Sequence, residues 1–75
     1  MPTIADFGSF RIYMYFQDES PPHVHIIGPD FAAKLRLDDA VKIAGDLPKK
    51  VEREAIAYVQ DHRDELLKCW SLYQE

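Results

Sequence analysis

Two histidines separated by Val24, His23 and His25, follow Pro21 and Pro22 and are joined to the turn residue Gly28 by a short apolar step through Ile26 and Ile27. Alternation along a strand sends both imidazoles to one face and Val24 and Ile26 to the other. Residues that alternate in this way lie about 6–7 Å apart at the backbone, close enough to chelate a divalent metal. Asp18 and Glu19, just upstream, would complete a two-histidine, one-carboxylate set suited to zinc, iron or manganese. The same imidazoles could instead serve as general acid and base on a phosphodiester, the chemistry of a metal-independent ribonuclease. In that reading Lys34, Arg36 or Arg11 stabilises the charged transition state, and Tyr13 or Tyr15 positions a base or a proton. A third reading has no chemistry: surface histidines steady the loop by hydrogen bonding to its carboxylates.

These side chains need elements to hold them. Phe10 to Phe16 alternates, with Phe10, Ile12, Met14 and Phe16 to one side and Arg11, Tyr13 and Tyr15 to the other, so it reads as a strand. Residues 1–9 read as a loose lead-in. Gln17 to Pro22 reads as a loop, because each proline lacks an N–H and extends the residue before it. His23 to Ile27 is the second strand, and Gly28-Pro29-Asp30 is a hairpin turn signal. Phe31 to Leu37 is the third, with Ala33, Leu35 and Leu37 inward. Asp38-Asp39 marks a turn, and Ala40 to Ala44 offers a fourth strand with Val41 and Ile43 inward and Lys42 outward.

Gly45-Asp46-Leu47-Pro48 ends the sheet, with Asp46 as helix N-cap and Pro48 in the first turn. From Lys49 the apolar period becomes 3.6. Val51, Ala55, Tyr58, Val59, His62, Leu66, Cys69, Trp70 and Tyr73 form one stripe. The expected fold is α+β: a three- to four-stranded antiparallel sheet with one C-terminal amphipathic helix on one face, residues 1–75 forming one domain. The uncovered face then carries Arg11, Tyr13, Tyr15, His23, His25, Lys34 and Arg36, with no acidic residue. Arg11, Tyr13, Tyr15, Lys34 and Arg36 are therefore the candidate RNA contacts, for phosphates and stacked bases.

The composition bounds these readings. The chain has 75 residues, nine basic against thirteen acidic, and a net charge of −4. That balance opposes nucleic-acid binding unless the cations share one face. One cysteine, Cys69, excludes an internal disulfide and a thiolate metal cluster, as suits a reducing compartment. The absence of a membrane-length apolar run and of a signal-peptide pattern points to a cytoplasmic protein. A thin core and open strand edges favour association with a partner, including a second copy of the chain.

Met1-Pro2-Thr3-Ile4, Ile12 to Asp18, Pro21-Pro22-His23-Val24-His25, Gly45-Asp46-Leu47-Pro48, and His62 to Leu67 with Trp70 together resemble a small bacterial family, domain of unknown function 4160. Its members are often encoded beside another small domain in arrangements that look like toxin–antitoxin pairs. The resemblance thus implies a small cognate protein partner; it names no cofactor beyond the possible divalent metal above and leaves the activity open. Members commonly carry histidine where this chain has Glu19, which excludes a three-histidine site here.

Overall fold

The computed structural model describes residues 3–15 and 21–73. Among them are five strands and two helices: β1 (Thr3–Asp6), β2 (Arg11–Tyr13), β3 (His23–Ile27), β4 (Ala32–Arg36), β5 (Lys42–Asp46), α1 (Lys49–Asp61) and α2 (Arg63–Tyr73). The strands form an antiparallel meander in chain order, β1-β2-β3-β4-β5. No helix among the described residues is long and apolar enough to cross a membrane.

The alternation seen in the sequence sets the two sides of the sheet. Register aligns Ile12 with Ile26 and Ile26 with Ala33, and Val24 with Leu35. All five are buried, as are Phe10, Met14 and Leu37. The helices contribute Val51, Ala55, Val59, Leu66 and Trp70 to the same core. Burying each large aliphatic side chain contributes about 1.5–3 kcal/mol, so this shared apolar layer is what offsets chain ordering. The β3–β4 hairpin forms at the expected turn, closed by a 2.9 Å bond from Gly28 N–H to Phe31 O. The Phe31 ring lies where a Cβ on residue 28 would sit, 2.2 Å from its position.

Five expectations are corrected. First, the lead-in contains β1, so the sheet has five strands rather than three or four. Its weak alternation reflects an edge strand with a register shift between Thr3 and Ala5. Second, the helical region is two helices rather than one, broken at His62. There the backbone N–H and the ring Nδ1 both lie 3.0 Å from Tyr58 O. The next residue, Arg63, donates from Nε to Leu37 O at 2.9 Å and so ties the start of α2 to the sheet. Third, Val41 and Ile43 point outward, 47% and 40% exposed. The alternation expected from Ala40 onward is reset because Ala40 adopts φ 57° with its side chain buried, and because β5 shifts register opposite Lys34 and Leu35. Fourth, Gly45 and Asp46 belong to β5. The N-cap is Pro48, which makes no side-chain cap, and its carbonyl accepts from Glu52 N–H. Fifth, the strand expected over Phe10 to Phe16 is β2, which covers only Arg11–Tyr13, and Phe16 lies outside the described residues.

Gly45 and Gly8 both have positive φ, 77° and 86°. A Cβ on Gly45 would fall 2.1 Å from Ala32 O, whereas one on Gly8 would meet nothing within 4 Å. Gly45→Ala is therefore expected to lower stability by at least about 1–3 kcal/mol, and by more than Gly8→Ala. Urea denaturation midpoints of the two variants check this; equal losses would contradict it.

Candidate functional site

The site is the sheet face turned away from the helices. Register places Tyr13, His25, Lys34 and Ala44 in one row across four strands, and Arg11, Ile27, Ala32 and Asp46 in the next. His23 lies opposite Arg36. Of the residues expected on the uncovered face, Arg11, Tyr13, His25, Lys34 and Arg36 are brought together as alternation requires, whereas His23 is not uncovered, because Trp70 of α2 packs against it. Tyr15, just past β2, joins them through its ring, 4.1 Å from that of His25.

The two histidines differ in setting. His23 is only 4% exposed. Its ring packs 5.2 Å from that of Trp70 on α2 and 4.9 Å from that of His25. Trp70, His23, His25 and Tyr15 therefore form a continuous column of rings from the helical layer to the open face. His23 Nδ1 lies 2.8 Å from Pro21 O. A carbonyl oxygen can only accept, so Nδ1 carries the proton and donates, leaving Nε2 as the basic nitrogen of the neutral ring. The adjacent Pro22 carbonyl accepts from Leu37 N–H at 2.9 Å. The two prolines, which lack donors, thus supply two consecutive acceptors: one orients His23 and the other extends the β3–β4 ladder.

His25 alone of the pair lines an open trough of ≈ 350 Å³, together with Tyr15, Ile27, Ala32, Lys34 and Ala44. Its floor is apolar because Ala32, Ala44 and Gly45 are small. Asp18 and Glu19 lie outside the described residues. Among the described residues no group of three or more His, Cys, Asp or Glu side chains is placed to hold a metal. His62 stacks on Tyr58 with ring centroids 4.1 Å apart, and Cys69 is a partly buried thiol.

The face is not free of acid, which corrects the charge pattern expected from sequence. Arg11 Nε lies 3.2 Å from Asp6, because β1 sets Asp6 directly opposite Arg11. Arg36 Nε donates to Asp39 at 3.0 Å, and Lys42 Nζ lies 3.4 Å from Asp46. Lys34, by contrast, has no carboxylate partner among the described residues. The hydrogen bond to Tyr13 and then the charge of Asp6 raise the pKa of Arg11 above its ordinary value. Asp6 was the residue that sequence reasoning missed. Its signal was present in Asp6-Phe7-Gly8: Gly8 N–H donates to the Asp6 carboxylate at 2.8 Å, an Asx turn that folds β1 back onto β2.

The hydrogen bond from Arg36 is the main cause that lowers the Asp39 pKa below 3.8. Because the folded value is depressed, the pair's stabilising effect is present above the unfolded pKa and is lost as pH falls through the folded one. Arg36→Ala is expected to raise the Asp39 titration midpoint toward its ordinary value, read by carboxyl NMR. An unchanged midpoint would show that the ion pair does not form in solution.

No curated protein matches the chain, and no solved structure does. A family model does: it is described as a domain of unknown function, DUF4160, and it matches residues 9–71, a span from the residue before Phe10 through the residue after Trp70. That span takes in β2 to β5, α1 and nearly all of α2, with the whole ring column and both prolines. On that match the chain belongs to the DUF4160 family.

Proposed function

We propose that the protein is a binding module, one half of a toxin–antitoxin-like pair, whose outer sheet face docks a small cognate protein. The observation that carries this is the trough lined by Tyr15, His25, Ile27, Ala32, Lys34 and Ala44 on the face the helices leave open. Aromatic rings around a small-residue apolar floor, with one lysine at the rim, are the makings of a protein interface. Such interfaces are depleted of charge at the centre and enriched in aromatics. A polyanion would draw mainly on cations, and Arg11 and Arg36 already face carboxylates. Nucleolytic chemistry would need a second proton-transfer group beside His25, and His23 is enclosed against Trp70.

The test is calorimetric titration of the purified protein with the small protein encoded next to it in its genome, the partner this reading requires, repeated with Ala32→Arg and Lys34→Glu. Ala32 and Lys34 are exposed, so the fold tolerates both changes. Each is expected to weaken binding at least about tenfold, or ~1.4 kcal/mol. Binding indifferent to both variants would remove the trough from the interface. Salt-sensitive RNA binding without protein binding would replace this reading with the nucleic-acid one.

A further inference from the structure

We infer that the protein self-associates through β5, which pairs antiparallel with β5 of a second copy about a two-fold axis at Ala44. Among the described residues β5 is one of the two sheet edges. The other is β1, and each edge carries one register shift, between Thr3 and Ala5 in β1 and opposite Lys34 and Leu35 in β5. Ile43 in β5 and Val41 just before it are exposed apolar side chains along this edge, an arrangement natural sheets usually avoid.

The choice of partner comes from charge. β5 reads Lys42-Ile43-Ala44-Gly45-Asp46. Laid antiparallel on itself with Ala44 at the dyad, it sets Lys42 of each copy opposite Asp46 of the other. The contact between Lys42 and Asp46 within one copy, at 3.4 Å, shows that both side chains share a face. The Asp46 side chain is otherwise fully exposed. A parallel copy would set like charges opposite one another, so the strand is complementary to itself in one direction only. A closed, isologous dimer is the result.

The backbone is phased for the same register. Gly28 N–H to Phe31 O and Leu37 N–H to Pro22 O bracket the β3–β4 ladder. Odd-numbered residues of β4 therefore bond toward β3 and even-numbered ones toward β5. The bond from Arg36 N–H to Val41 O agrees. Ala44 and Asp46, opposite Lys34 and Ala32, turn their backbone groups toward β4. Gly45, between them, turns its own toward the open edge. In the dimer Gly45 lies opposite Ile43 of the second copy, where outward groups can meet. The ion pairs exchange an internal partner for an external one, so they set register and direction while strand pairing and the apolar edge supply affinity. A single strand edge is a small interface, which makes this a weak, concentration-dependent dimer.

Sedimentation equilibrium from about 10 μM to about 1 mM tests it, a range chosen for a weak association. The wild type is expected to shift from monomer toward twice the monomer mass. Lys42→Asp alone and Asp46→Lys alone each set like charges opposite one another and are expected to weaken the dimer at least about tenfold. The double variant Lys42→Asp/Asp46→Lys restores complementarity and is expected to dimerise again. An equimolar mixture of the two single variants is expected to form the heterodimer that neither forms with itself. Circular dichroism confirms that each variant is folded; any that is not is replaced by Lys42→Ala or Asp46→Ala, each expected to weaken the dimer less. A wild type that stays monomeric to 1 mM in order of magnitude, or a dimer unmoved by the single charge reversals, overturns the inference.

Discussion

The placement of His23 is the constraint on which the rest of this structure depends. Its ring is held by the Pro21 carbonyl at Nδ1 and by a tilted contact with the Trp70 ring, 5.2 Å between centroids. Trp70 belongs to α2, so this contact joins the end of the chain to the central strand of the sheet. The Pro22 carbonyl then carries the β3–β4 ladder one step further, to Leu37. Leu37 O in turn accepts from Arg63 at the start of α2. The path from Pro21 to α2 therefore closes on itself through ring packing on one side and side-chain hydrogen bonding on the other. A buried polar ring is tolerable only when its hydrogen bonding is met, and Pro21 supplies that for Nδ1.

That arrangement divides the labour between two histidines that look equivalent in the sequence. His23 is part of the packing, while His25, two residues on, shows its ring to the trough. The column of rings makes the position of Tyr15 and His25 on the surface a consequence of core packing beneath them. The core beneath therefore orders this face, which in the binding role we propose lowers the entropy lost on association.

The charges follow a similar logic. The meander brings an acid beside each of Arg11, Arg36 and Lys42 and leaves Lys34 in the middle of the face. These pairs are exposed and contribute little to stability. They set a carboxylate against three of the cations on or beside the open face, among side chains that include the rings of Tyr13, Tyr15 and His25. At the β5 edge the same kind of pairing acts on association, because opposite charges at the two ends of one strand distinguish an antiparallel copy from a parallel one.

The sequence by itself determined the two layers and their boundary. Period-2 alternation at Ile12, Val24, Ile26, Ala33 and Leu35 and period-3.6 spacing at Val51, Ala55, Val59, Leu66 and Trp70 are local patterns, and each specifies a buried face without reference to distant residues. The Gly28-Pro29-Asp30 turn was legible for the same reason. Tertiary structure alone decided what depended on residues far apart in the chain. Edge strand β1 has too few apolar residues to announce itself and forms because β2 offers it a partner. The break at His62 carries no glycine or proline; it accompanies the tie from Arg63 to Leu37, twenty-six residues away. The sense of β5 was reset by a left-handed Ala40 that no propensity favours. The enclosure of His23 beside an accessible His25 required Trp70, because alternation tells which side of a sheet a residue occupies and says nothing about what lies over it.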